Sequence, residues 1–177
     1  MAIIKIQGTD TIIEAQNEVA AFLENQEVVY EHWDIEKLPQ NLQEKFDLND
    51  EEKQEILNAF KEEIEDISKR RGYQAADIIS LSDSNPNLDE LLKNFQRKHH
   101  HTDDEVRYIV SGHGVFIIQG KNQQFFEVHL VPGDLISVPE NILHYFTLSD
   151  DRKVVAIRIF VTSEGWVPVY HEESVEA

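Results

Sequence analysis

The pattern of apolar and polar positions changes character near residue 97. Before it, apolar residues recur mainly at helical spacing. In "TDTIIEAQNEVAAFLENQ", a Thr or Asp cap candidate precedes Ile12, Ile13, Val19, Ala20, Phe22 and Leu23, which recur with the period of a helix. "LNDEEKQEILNAFKEEIEDISKRRGY" predicts the clearest helix. Asp50 stands as its cap, acids crowd its first turns, and Lys69, Arg70 and Arg71 close it before Gly72. That charge order complements the helix dipole. Between these segments, "EVVYEHWDI" alternates enough for a short strand ended by "LPQ". "ADIISLS" reads as a strand, "DSNPN" as a turn, and "LDELLKNF" as a last helix.

After residue 97, runs of five to nine residues rich in Val, Ile, Phe and Tyr alternate with turn chemistry. The runs are "EVRYIVS", "GVFIIQ", "QFFEVHL", "DLISVP", "LHYFTLS" and "KVVAIRIFV"; the breaks are "SGHG", "GKNQ", "VPGD", "PEN" and "SDDR". Closely spaced short strands predict a β-barrel or sandwich. "SGHG" reads as a hairpin turn. The predicted organisation is one domain over 1–177: a mostly helical part over 1–97, a β core over 98–165, and a frayed polar tail over 171–177.

Composition narrows the chemistry. The chain has 177 residues and no cysteine, which removes disulfides, thiolate metal sites and cysteine nucleophiles. Its net charge of −18 argues against nucleic acid and anionic lipid as partners, because both call for a basic face. Of the 34 acidic residues, 22 precede residue 98, which fits solvated helix faces. No apolar run approaches the roughly 20 residues of a membrane span, and the N-terminal "MAIIKIQGTD" lacks the features of a signal peptide. A soluble cytoplasmic protein is expected. No heptad or swap element stands out, so a monomer is expected too.

One stretch stands apart: "KHHHTDDEVRYIVSGHG", residues 98–114. Side chains on one strand face recur every two residues. His99 and His101 therefore share a face, with His100 opposite. Glu105 and Arg107 share their parity if Asp103 and Asp104 form a bend. The pattern His-x-His-x-x-x-Glu can hold one side of a metal ion, and His144, in "GDLISVPENILHYFTL", is the candidate fourth ligand. Three imidazoles and a carboxylate suit Fe(II), Ni(II), Mn(II) or Zn(II). A structural zinc site would more often be closed and contain thiolate, so this donor set points to chemistry.

These two segments resemble the paired motifs of the cupin superfamily, small β-barrels with a metal in the mouth. "HHTDDEVRYIVSGHGVF", "GDLISVPENILHYFTL" and "VVAIRIFVTSEGWVPVY" together resemble the acireductone dioxygenase family of methionine salvage. The resemblance covers roughly residues 75–172, and "PENILH" departs from its more usual small-residue turn. It implies a mainly β, cupin-type barrel (a double-stranded β-helix) with the helical N-terminal portion packed on it. It also implies His99, His101, Glu105 and His144 as ligands of one Fe(II) or Ni(II) per chain. His100 and His113 are then not ligands, and His129 and His171 lie at the surface.

Around the metal, Arg107 is expected on the barrel interior, where an unpaired cation is costly; it would hold a substrate oxyanion or serve a structural ion pair. Arg158 and Ala156 share a face of "VVAIRIF", the small Ala leaving room for a ligand, and the resemblance places Arg158 in the pocket. It also implies Phe95, Phe116 and Phe146 as pocket aromatics; Trp166 is a further mark of the family. The implied substrates are acireductone, 1,2-dihydroxy-3-keto-5-methylthiopentene, and O₂. Fe(II) implies formate and 4-methylthio-2-oxobutanoate as products; Ni(II) implies formate, carbon monoxide and 3-(methylthio)propanoate. Another metal cupin oxygenase or oxidase, or a non-catalytic ligand-binding cupin, is the alternative.

Overall fold

A computed structural model describes residues 2–82, 87–96, 99–101, 105–139, 141–160 and 168–170; for 94–96, 99–101 and 168–170 it describes the backbone alone. Four α-helices and twelve strands are assigned among them. The helices are α1 (Gln16–Asn25), α2 (Asp50–Ala59), α3 (Lys61–Arg71) and α4 (Leu88–Gln96). The strands begin with β1 (Ile3–Ile6), β2 (Ile12–Ile13), β3 (Val29–His32) and β4 (Ala75–Leu81). They continue with β5 (His99–His101), β6 (Glu105–Gly112), β7 (Gly114–Gln119) and β8 (Phe125–Leu130). Last come β9 (Asp134–Val138), β10 (His144–Leu148), β11 (Val154–Phe160) and β12 (Pro168–Tyr170).

The strands form two antiparallel sheets. One runs β12-β5-β10-β7-β8-β1-β2 and the other β3-β9-β6-β11-β4. Their inner faces meet in one core. Phe116, Ile118, Phe126, Val128 and Phe146 from the first sheet pack with Ile109, Ile136, Val138, Val154 and Ala156 from the second. Val19 and Leu23 of α1 and Leu88 and Leu92 of α4 extend this cluster. A second cluster lies on the outer face of the five-stranded sheet, where Ile56 of α2, Phe60 and Ile67 of α3 cover Tyr108, Val155, Ile157 and Ile159. This is the mainly β, cupin-type barrel with helices packed on it that the sequence led us to expect.

Three local expectations change. Ile12 and Ile13 belong to β2, which pairs with β1, and α1 starts at Gln16 without a side-chain cap. Two adjacent β-branched residues fit a strand better than a first helical turn. The long helix is two helices: Asn49, not Asp50, caps α2, and the chain bends at Phe60, whose φ of −109° interrupts the run. The bend lets the fully buried Phe60 ring meet Tyr108 at 4.9 Å while both helices face the sheet. Finally, "SGHG" is not a hairpin turn. β6 pairs with β9 and β11, whereas β7 pairs with β8 and β10, so the chain changes sheets at His113. Gly112 permits this corner: its φ is +75°, and a Cβ there would collide with the Lys153 backbone.

The helical N-terminal portion is also less separate than its texture suggests. β1 pairs with β8, β3 with β9 and β4 with β11, so residues before 98 complete both sheets.

Candidate metal centre

Glu105 opens β6 opposite Val138, and His144 opens β10 opposite Ile118. The two strands belong to different sheets, and the barrel brings their ends together. His144 Nε2 lies 3.5 Å from Glu105 Oε2, with both side chains almost fully buried. On the other side of His144, Nδ1 lies 2.8 Å from the Ile142 carbonyl oxygen. A carbonyl only accepts, so Nδ1 donates, and in the neutral ring Nε2 presents its lone pair to the carboxylate. Two electron-pair donors that converge in this way are complementary to a cation between them. Atoms each about 2.1 Å from one ion sit roughly 3–3.5 Å apart, so the donor set fits a metal. The Ile142 carbonyl fixes the imidazole in the way that outer partners fix metal-ligating histidines.

Backbone register places residue 99 next to this pair. His99 pairs with His144 across β5 and β10, and Pro168 pairs with His101 across β12 and β5. The side chains of His99, His100 and His101 lie outside the described residues, as do Asp103 and Asp104, whose bend was expected. Among the described residues, no three His or acidic side chains come together as a metal site; Glu105 and His144 are the converging pair whose side chains are described.

Arg107 is buried on the same face of β6 as Glu105, its Nε 3.7 Å from Glu105 Oε2. Burial holds its pKa below the ordinary guanidinium range, and the nearby Arg158 adds to that; Glu105 and Asp77 oppose it. Its Cζ stands 4.9 Å from the Phe146 ring centroid and 5.8 Å from that of Phe116, both cation–π distances. The Phe116 ring also lies 6.2 Å from the His144 ring. Val106, Tyr108 and Val110 point to the helical layer, as strand alternation predicts. Ala156 is buried in the inner cluster beside Ile109. Arg158 lies directly across from Arg107, and not on an edge strand: β11 has β6 on one side and β4 on the other. Phe95 is in α4, and its side chain is outside the described residues, as are Trp166, His171 and the 171–177 tail.

The remaining histidines have other company. His113 is about half exposed and pairs with Asp151 at 2.7 Å. His129 pairs with Glu127 at 2.9 Å on the outer face of the seven-stranded sheet. An open groove of about 700 Å³ runs over that face past Lys5, Gln7, Glu127, His129 and Tyr145. Its lining residues alternate with the inward ones, so it lies on the far side of the sheet from His144.

One residue of this region escaped the sequence reading. Asp77 pairs across β4 and β11 with Arg158. Its strand parity with Ile79 and Leu81, which point inward, was a visible signal: an acid on an otherwise apolar face.

The model of the ARD/ARD' family matches residues 3–168. The chain belongs to the ARD/ARD' family. It is 69% identical to the acireductone dioxygenase of Bacillus velezensis over 99% of both chains. It is 68% identical to that of Bacillus subtilis over 99% of both. A solved structure, acireductone dioxygenase from Bacillus anthracis with a cadmium ion in the active centre, superposes with a TM-score of 0.94. It is 64% identical and covers 96% of this chain and 98% of that one. The family resemblance drawn from the sequence motifs therefore holds, and so does the enzyme class that accompanies it, a dioxygenase.

Proposed function

We propose that this member of the family is an acireductone dioxygenase in its own right. It would bind one Fe(II) or Ni(II) through His99, His101, Glu105 and His144, and cleave 1,2-dihydroxy-3-keto-5-methylthiopentene with O₂. The observation that carries the reading is the buried pair His144 Nε2 and Glu105 Oε2, 3.5 Å apart, with the imidazole held by the Ile142 carbonyl. The register that sets residue 99 beside His144 supports it, and strand parity extends it to His101. The cadmium in the active centre of the related structure supports a divalent ion at this place.

When bound, the metal supplies Lewis acidity and a template for a bidentate enediolate. The chain's own residues do the rest. Glu105 and His144 contribute charge and orientation from a dry site at the barrel end. Arg107, buried beside them, stabilises the anionic form of the substrate without reorganising, the property that makes electrostatic catalysis effective. Phe116 and Phe146, whose rings also touch each other, flank its guanidinium at cation–π distance. With Ala156 they would offer the apolar slot that a methylthioalkyl tail needs, and we propose Phe95 as a further member of it. Arg158 is the second cation of the pocket.

With Fe(II) the products would be formate and 4-methylthio-2-oxobutanoate, a step of methionine salvage. With Ni(II) they would be formate, carbon monoxide and 3-(methylthio)propanoate. We place the enzyme in the cytoplasm, which the cysteine-free composition fits, and as a monomer; light scattering after gel filtration tests its mass. The functional test reconstitutes metal-free protein separately with each ion, supplies acireductone and oxygen, and identifies products by gas analysis and mass spectrometry. Absence of oxygen uptake with either ion would overturn the reading.

A further inference from the structure

A row of residues crosses the five-stranded sheet on its inner face. Backbone register sets Asp77 of β4 beside Arg158 of β11, Arg158 beside Arg107 of β6, and Arg107 beside Ile136 of β9. Two arginines thus stand directly opposite one another, an arrangement that is unfavourable unless something restrains and balances it. Arg107 has Glu105 on its own strand. Arg158 has Asp77, and the two make a fork: Nε donates to Oδ1 at 2.7 Å and Nη2 to Oδ2 at 2.6 Å. The Phe160 ring, 5.2 Å from Arg158 Cζ, bounds the guanidinium from β11 itself.

We infer that Asp77 is a positioning residue for the anion-binding pocket: it fixes the place and plane of the Arg158 guanidinium so that Arg158 and Arg107 act together on a bound enediolate. The inference rests on the acireductone reading of the pocket and extends it to a residue that touches neither metal nor substrate. A bidentate carboxylate sets the orientation of a planar guanidinium as well as its distance. The pair is partly exposed, Arg158 at 27% and Asp77 at 46% of the side chain, and ion pairs at such places add little to stability. Its value lies in geometry. Without the fork, Arg158 would swing among rotamers, displaced by the like charge of Arg107. A misaimed electrostatic partner reduces turnover more than it reduces folding.

The experiment compares metal-loaded wild type, Asp77→Asn, Asp77→Glu, Arg158→Gln and the double variant Asp77→Asn/Arg158→Gln. Each is checked for melting temperature and metal content. Acireductone turnover and the ¹⁵N–¹H resonance of the Arg158 Nε–H are then recorded. Asp77→Asn is expected to lower kcat roughly three- to tenfold with little change in KM. Asp77→Glu restores part of that loss. In the Arg158→Gln background, Asp77→Asn changes nothing further, and its resonance in the single variant broadens or shifts. Additive losses in the double variant, or an Arg158 resonance unmoved by Asp77→Asn, would overturn the inference. If wild type fails to consume acireductone, the functional reading falls by itself. The Arg158 resonance then still decides whether Asp77 holds that arginine, an unmoved signal overturning the positioning role.

Discussion

Val106 and Arg107 are adjacent in one strand, yet their surroundings are opposite in kind. Val106 points to the helical layer, where Tyr108, Leu135, Val155, Ile157 and Ile159 form an apolar face under α2 and α3. Arg107 points into the barrel, beside Glu105 and across from Arg158. The same five strands thus build a dry hydrophobic seam on one side and a charged site on the other. Alternation along β6 separates the two functions within a single residue step. The outer face can hold the sheet together without involving the chemistry. The inner face accepts buried charge because the outer face does not depend on it.

The division is tested most severely from the outer side. Phe60 is fully buried and stacks edge-on against Tyr108. Phe60→Ala removes a large ring from a close-packed seam and is expected to cost about 3–5 kcal/mol. Urea unfolding should show a lower midpoint with an unchanged slope. Below its melting temperature the variant should still bind one metal per chain. Metal loss from folded protein would show that the two faces are coupled.

From the inner side, His144→Ala removes a nitrogen that faces Glu105. Metal content after dialysis is expected to fall from one per chain to below about a tenth, and turnover by at least about a thousandfold, equivalent to ~4 kcal/mol of barrel chemistry. Unfolding of the metal-free forms should differ far less than for Phe60→Ala. Retained metal would shift the assignment away from His144. His100→Ala should keep the metal, whereas His99→Ala and His101→Ala should lose it.

Gly114 sharpens the comparison at the boundary. A Cβ there would stand 2.8 Å from Cε1 and 2.9 Å from Cζ of Phe146, the ring that stacks on Arg107. Gly114→Ala must displace that ring. Overpacking of this kind costs about 1–3 kcal/mol, and here it should also lower turnover severalfold while metal content stays at wild type. Turnover equal to wild type would mean that the Phe146 ring position is not part of the pocket's function.

Much of this arrangement is legible in the sequence. Strand parity separated Arg107 from Val106 and Tyr108, and it grouped Ala156 with Arg158, because each requires only a period of two. The barrel architecture followed from closely spaced apolar runs broken by turn residues. What stayed hidden depends on distant partners. Gly112 looks like a hairpin glycine until Lys153 is seen against it. Phe60 looks like a helix interior until Tyr108 shows why the helix bends there. Asp77 could be placed on an inward face, but its partner was decided by register between strands 81 residues apart, which local pattern does not encode. His144 could be named a candidate because imidazole chemistry and the family resemblance narrow the choice; its place beside Glu105 depended on two strands of different sheets.

The smallest effect probes the outer layer at its rim. Asn49 caps α2: its side chain accepts from the Glu52 backbone N–H at 2.8 Å, and Glu52 Oε1 accepts from the Asn49 N–H at 3.1 Å. Glu52 also pairs with Lys45. Asn49→Ala removes one half of this reciprocal box and should cost about 1 kcal/mol, which for a chain of this size is a melting shift of roughly 2–4 °C. Because α2 covers the apolar face and makes no part of the charged one, turnover and metal content should equal wild type at 25 °C. An altered KM or metal content would mean that strain in the helical layer passes through the sheet to Arg107. The two faces would then be one mechanical unit, and the separation argued from strand alternation would apply to composition alone.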